Sequence, residues 1–208
     1  MRRALSLGLL LAVLSGVASA QLIGITKGVK GGINIATIGG SDAGSGITAV
    51  TQYAAGVFVE ISLPGPLAIQ PEVLYSVKGS KAAVPATYLT PAMTLTTTLS
   101  YIEIPVLLKF YLPTPVIKPH LFAGPALGIL TSAKAKAEYP GGSVDTDIKD
   151  VITSTDLGVV VGAGIKLALP IVDLSVEGRY NYGMKSIDKQ DGTKMYNRTI
   201  SILVGIGF

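Results

Sequence analysis

The sequence predicts an all-β fold: an eight-stranded antiparallel up-and-down transmembrane β-barrel. The observations behind this are composition, periodicity and spacing. Hydrophobic residues make up 49% of the 208-residue chain and charged residues only 14%, where a soluble domain carries about 25% charged. The apolar residues recur with a period of two rather than 3.6. The segments between the apolar stretches alternate between short and long.

The chain opens with an address rather than a fold element. Arg2 and Arg3 form a positive region, residues 4–17 are apolar apart from Gly and Ser, and Ala18-Ser19-Ala20 is a small-residue cleavage site. This is the pattern of a secretory signal peptide over residues 1–20, removed to leave a single domain over 21–208. Without Arg2 and Arg3, 15 basic residues face 13 acidic ones. So balanced a charge does not suit a nucleic-acid binder. There is no Cys, so stability has to come from a core or a membrane rather than from disulfides. Beyond the leader no apolar run reaches the 18 residues of a membrane helix. The nearest, 157–172, is broken by Lys166 and Pro170.

Eight strands follow from the alternation. Tyr53, Ala55, Val57, Val59 and Ile61 share one face, and Gln52, Ala54, Gly56, Phe58 and Glu60 the other. Ile69, Val73, Tyr75 and Val77 oppose Gln70, Glu72, Ser76 and Lys78. Ile102, Ile104, Val106, Leu108 and Phe110 oppose Tyr101, Glu103 and Lys109. Leu157 to Leu167 and Val172 to Tyr182 alternate in the same way, as does the terminal set Ile200, Ile202, Val204, Ile206 and Phe208. Residues 27–37 form a weaker strand. Residues 118–131 are apolar on both faces, and Leu121, Ala123, Leu127 and Ile129 are placed on the apolar side.

The connections at 64–66, 113–115 and 168–171 are short. Those at 38–50, 80–97, 132–154 and 184–196 are long and polar. Short turns on one side and long loops on the other are the layout of an outer-membrane barrel, with both termini on the periplasmic side. A soluble lipocalin-like barrel would place charge outside and bulky apolar groups inside. Here the apolar face is free of charge and the other mixes Gly, Ala and Ser with charges, a filling for a narrow lumen. Pro71, Pro105 and Pro125 fall inside strands of a barrel that has no free edge. A bulge or a gap in the hydrogen-bond ladder is expected beside at least two of them. Tyr53, Tyr75, Tyr180, Tyr182, Phe110, Tyr111 and Phe208 lie near strand ends, where membrane barrels carry aromatic girdles.

The polar face carries Glu60, Glu72, Glu103, Asp156, Asp173 and Glu177 against Lys30, Lys78, Lys109, Lys166 and Arg179. Charge in a narrow lumen has to be paired. A structural network of Glu60, Glu72, Glu103, Lys109, Lys166, Glu177 and Arg179 is expected to fill it, with Arg179 as the hub between Glu72, Glu103 and Glu177. His120, the single histidine, follows a short turn and is expected at the periplasmic rim as an interfacial residue. Gly162-Ala163-Gly164 lacks the last glycine of a dinucleotide fingerprint. Asp145 to Asp150 lacks the turn glycine of a calcium loop. No cofactor, metal site or catalytic set is therefore expected.

Several segments carry a family resemblance: Gly31-Gly32-Ile33-Asn34, Gln70-Pro71-Glu72-Val73-Leu74-Tyr75-Ser76-Val77-Lys78-Gly79, Tyr101-Ile102-Glu103-Ile104-Pro105-Val106-Leu107-Leu108-Lys109, Pro119-His120-Leu121-Phe122-Ala123-Gly124-Pro125 and Gly178-Arg179-Tyr180-Asn181-Tyr182-Gly183. With them the chain resembles the PorT-type outer-membrane β-barrel proteins of Bacteroidetes-like bacteria. The resemblance implies a barrel in the cell outer membrane, and for some members a link to protein secretion and gliding. The function expected is that of a non-enzymatic barrel with a plugged lumen, acting in binding or in support of assembly or secretion. Its partners would be outer-membrane lipid and other envelope or secretion proteins. A small-solute pore and an outer-membrane lipid-modifying enzyme are the alternatives.

Overall fold

The computed structural model describes residues 24–44, 46–86, 88, 91–190 and 192–208; the expected leader lies outside them. The chain forms β1 (Ile25–Gly39), β2 (Ile47–Thr48), β3 (Val50–Ser62), β4 (Leu67–Val84), β5 (Met93–Tyr111), β6 (Ile117–Tyr139), β7 (Gly142–Asp147), β8 (Thr155–Ala168), β9 (Asp173–Gly183) and β10 (Tyr196–Gly207). Eight of these pair antiparallel in the ring β1-β3-β4-β5-β6-β8-β9-β10. Pairing of β10 with β1 closes it. This is the predicted barrel. The short strands β2 and β7 add to β4 and β6 outside the ring.

Alternation of side chains sends one set into the lumen and the other outward. Val57, Val176 and Val204 are each more than half exposed on the outer face. Leu121, Ala123, Leu127 and Ile129 are exposed there too, which gives β6 the expected register. Such an outer wall is stable only where hydrocarbon covers it. The inner face alternates small and large residues. At Gly162 an added Cβ would lie 2.4 Å from both the Phe122 ring and the Gly178 carbonyl oxygen. The glycine is what lets the ring lie across the lumen.

The three strand prolines each open the ladder without shifting its register. Between β3 and β4, Val59 and Glu60 stand unpaired opposite Gln70 and Pro71. Between β4 and β5 the gap covers Glu72, Val73, Ile104 and Pro105. Between β5 and β6 it covers Val106, Leu107, Gly124 and Pro125. The gaps form one staircase across three adjacent seams, because each Pro lacks the N–H its neighbour would accept. The one register shift between β5 and β6 lies elsewhere. It falls at Ser100/Tyr101, where Thr131 is the extra residue and its hydroxyl donates to the Ser100 carbonyl at 2.9 Å.

The long connections differ from expectation. Segments 80–97 and 132–154 are not loops throughout: β4 runs on to Val84, β5 begins at Met93, β6 reaches Tyr139 and β7 turns back against it. Pairings such as Lys81↔Thr96 and Thr96↔Lys136 continue the barrel ladder outward. The apolar/polar alternation used to find strands fades here because both faces leave the hydrocarbon, while the β-branched Thr94, Thr96, Thr97 and Thr98 keep the backbone extended.

Candidate functional site

The lumen is filled by a charge network, built on side chains that period two turns inward. Arg179 of β9 places Nη1 2.9 Å and Nη2 3.2 Å from the two oxygens of Glu72 on β4. The same Nη2 donates to Glu177 at 2.5 Å. Lys30 bridges the same two acids at 2.7 and 2.9 Å. Lys109 joins Glu177 at 2.7 Å to Glu60 at 3.4 Å, and Glu60 also takes Lys166 at 2.5 Å and the Tyr111 hydroxyl at 2.6 Å. Gln70 donates to Glu72 at 2.6 Å. All four of these cations also lie on rings, Lys166 over Tyr111 at 4.7 Å, Lys30 over Phe58 at 4.9 Å, and Arg179 and Lys109 over Phe122 at 5.4 and 5.9 Å. Glu60, Glu72, Lys109, Lys166, Glu177 and Arg179 are thus brought together.

Glu103 is not part of that cluster. It pairs with Lys78 at 2.8 Å and accepts from Asn181 at 2.7 Å, in a second group nearer the long loops. Asp156 joins it through Lys78 at 3.4 Å and Asn197 at 2.8 Å. The expected Arg179–Glu103 contact fails because the two sit at different depths. Asn34, Ser76 and Ser201 occupy the level between, with Ser201 donating to Asn34 at 2.8 Å and Asn34 to Ser76 at 3.1 Å. Two voids of about 10 Å³ each remain along the axis, each room for about one water.

His120 corrects a second expectation. It is not interfacial: its side chain is fully buried in the lumen, 4.9 Å from the Tyr111 ring, with Nε2 3.4 Å from Glu177. Its neighbour Tyr111 likewise faces the lumen rather than a lipid girdle. Tyr53 with Tyr75, and Tyr180 with Tyr182, are exposed pairs on the outer face toward the long loops. Lys30, Lys78 and Asp156, expected on the charged inner face, are paired in the network, and Gln70, Asn181, Asn197 and His120 join it beyond the expected charges. The signal that places them is the strand parity.

Above the charges the long-loop mouth is closed by apolar side chains. Ile38, Leu99, Tyr101, Leu130, Ala133 and Ile187 form a buried cluster, with Ile148, Ile152 and Met195 against it. Beyond it the sheet β2-β4-β5-β6-β7 stands clear of the ring. One face continues the lipid-facing side but changes character: Lys81, Thr96, Thr98, Lys134 and Lys136 replace Val and Ile. Lys134 and Lys136 sit opposite Asp147 and Asp145 on β7. Lys136 also holds Glu138 at 2.7 Å, a hydrogen bond that draws the exposed Glu138 carboxyl below its ordinary range and raises Lys136. The other face carries Ala82, Val84, Met93, Leu95, Ala135, Ala137, Tyr139 and Val144, of which Leu95, Tyr139 and Val144 are exposed. The outer edge of β7 has no strand partner among the described residues.

The model of the outer membrane protein beta-barrel domain matches residues 19–189. The chain belongs to that family. As an outer membrane protein beta-barrel domain it sits in the outer membrane, with the apolar outer wall facing lipid. Its fold is similar to that of three solved barrels. Neisserial surface protein A is 18% identical, with 88% of this chain and 97% of that chain covered and a TM-score of 0.49. The attachment invasion locus protein Ail of Yersinia pestis is 10% identical over 88% of this chain and 98% of that one, at 0.44. The N-terminal β-barrel domain of Pseudomonas aeruginosa OprF is 12% identical over 87% and 97%, at 0.30. No curated protein matches the chain in sequence.

Proposed function

We propose that this barrel is a non-enzymatic, non-conducting outer-membrane protein whose work is done by the sheet it holds outside. The observation that carries this is the amphipathic β2-β4-β5-β6-β7 sheet. From Thr98 to Met93 β5 extends about 15 Å past the level where the lipid-facing column turns polar. There it displays a face rich in apolar side chains, crossed by Ser80, Thr97 and Thr146, and the free edge of β7. Exposed apolar sheet surface is costly in water and is characteristic of a surface that meets a partner. A free edge can accept an added strand. The likeness to PorT-type barrels gives the class of partner as other envelope or secretion proteins. Exported by a cleaved leader, the chain places its termini and short turns in the periplasm.

The lumen supports the closed reading. Its axis is crossed by buried ion pairs and capped by Leu99, Leu130 and Ile187, which speaks against the small-solute pore. Among the described residues His120 has Glu177, Tyr111, Phe122 and the Lys118 carbonyl as neighbours and accepts no serine or threonine proton. A lipid-modifying enzyme would need such a pair at the membrane surface.

Photo-crosslinking in native envelopes tests the reading. A crosslinker at Ser143 or Val144 should give discrete protein adducts, and one at lipid-facing Val176 should not. Absence of adducts from both outward positions contradicts a binding role.

A further inference from the structure

The short-turn end of the barrel carries a feature that neither the lumen network nor the outward sheet uses. Lys118 of β6 and Lys166 of β8 are direct cross-strand partners. Both help to line a cavity of about 710 Å³ at the mouth between the turns after β3 and β5. Directly opposed like charges destabilise a sheet, with Cβ atoms about 5 Å apart. Lys166 is compensated by Glu60 at 2.5 Å and Asp173 at 3.4 Å. Lys118 has no side-chain partner among the described residues. Glu60 cannot serve it as well, since that carboxylate already accepts from Lys109, Lys166 and the Tyr111 hydroxyl.

Besides the lysines the lining holds Glu60, which is already engaged, Ser62, Tyr111 and Thr114, and much of the remainder of the cavity is apolar. Leu67, Phe110 and Leu112 belong to its wall, and Phe110 and Leu112 are about half exposed where the barrel meets lipid. The turn prolines Pro66, Pro113 and Pro115 line it too and have no N–H to offer an anion. Backbone amides nearby are engaged: Tyr111 donates to Pro66, Leu112 to Pro119, and Thr114 to Leu112. Recognition here therefore rests on lysine charge rather than on a backbone cradle, beside a surface suited to an acyl chain.

We propose that this periplasmic vestibule binds an anionic phospholipid of the inner leaflet. Its phosphate is held between Lys118 and Lys166, and its chain lies along Phe110 and Leu112. The anion relieves the repulsion that the β6–β8 register builds in. The charge comes from the headgroup, so a zwitterionic lipid of the same chains binds less well. Inorganic phosphate, lacking the chain, loses the contact with Phe110 and Leu112.

The test is native mass spectrometry of the full-length purified protein released from detergent. Phosphatidylglycerol and phosphatidylcholine of matched chains are titrated in parallel, and folding of each variant is verified by heat-modifiable migration. The wild type should retain one phosphatidylglycerol in preference to phosphatidylcholine. Lys118→Gln should weaken that retention about fivefold and Lys118→Glu more. Lys136→Ala, at the opposite end, should leave it unchanged. If Lys118→Glu does not fold, Lys118→Gln carries the comparison. Equal retention of both lipids, or retention indifferent to Lys118, overturns the proposal. Displacement of phosphatidylglycerol by millimolar inorganic phosphate overturns it as well, by assigning the lysines to free phosphate.

Discussion

Arg179 and Glu72 tie the barrel across its full diameter. They stand on β9 and β4, which are four strands apart in the ring of eight, and two hydrogen bonds of 2.9 and 3.2 Å join them. The guanidinium also serves Glu177. Arg179→Ala would leave Glu72 and Glu177 buried with Lys30 as their shared cation. Breaking a buried pair in this way costs about 3–5 kcal/mol. The lipid-facing Val176→Ala should cost about 1 kcal/mol, since lipid fills the space. Arg179→Lys should recover only part of the loss, because an ammonium cannot span both Glu72 oxygens and reach Glu177. Urea unfolding in lipid vesicles measures all three. Equal midpoints for Arg179→Ala and Val176→Ala would remove the tie from the account.

The lumen glycines are spacers for rings. Gly162→Ala should destabilise the barrel markedly, because its Cβ would meet both Phe122 and the Gly178 carbonyl at 2.4 Å. Gly178→Ala, on the outer face with nothing within 4 Å, should be neutral or mildly stabilising. The same unfolding assay separates them, and a neutral Gly162→Ala would show that the lumen is looser than described.

Strand parity made the lumen-facing acids and bases readable from sequence, since a period of two assigns Glu72, Glu177 and Arg179 to one face without any fold. It did not say which of them meet. That depends on ring order and on depth, and Glu103, of the same parity as Lys109, sits a level away with Lys78. The inward placement of His120 is hard to read from sequence because β6 is apolar on both faces there, and adjacency to a turn competes with parity. The outward parts of β4, β5 and β6 were hidden for a different reason. Past the membrane neither face is lipid, and a strand there has the composition of a polar loop.

The staircase of ladder gaps should show in dynamics. Amides flanking Pro71, Pro105 and Pro125 should exchange with deuterium faster than those of the continuous β1–β10 seam, which pairs from Gly28↔Gly207 to Gly39↔Tyr196 without interruption. Uniform protection around the ring would mean that the prolines cost the wall nothing.

Orientation has its own test. Protease added to intact cells should cut only in the segments around 38–50, 85–92, 140–154 and 184–196. Cleavage at 64–66 on intact cells would invert the topology and place the lysine vestibule on the outside.

The lumen is closed by ion pairs at mid-depth and by Leu99, Leu130 and Ile187 at the long-loop mouth. Single-channel recording of the purified wild type in planar bilayers tests this most directly. The closed lumen predicts no steady conductance steps above the bare-membrane baseline. Large, steady steps from the wild type would contradict it and make the barrel a pore.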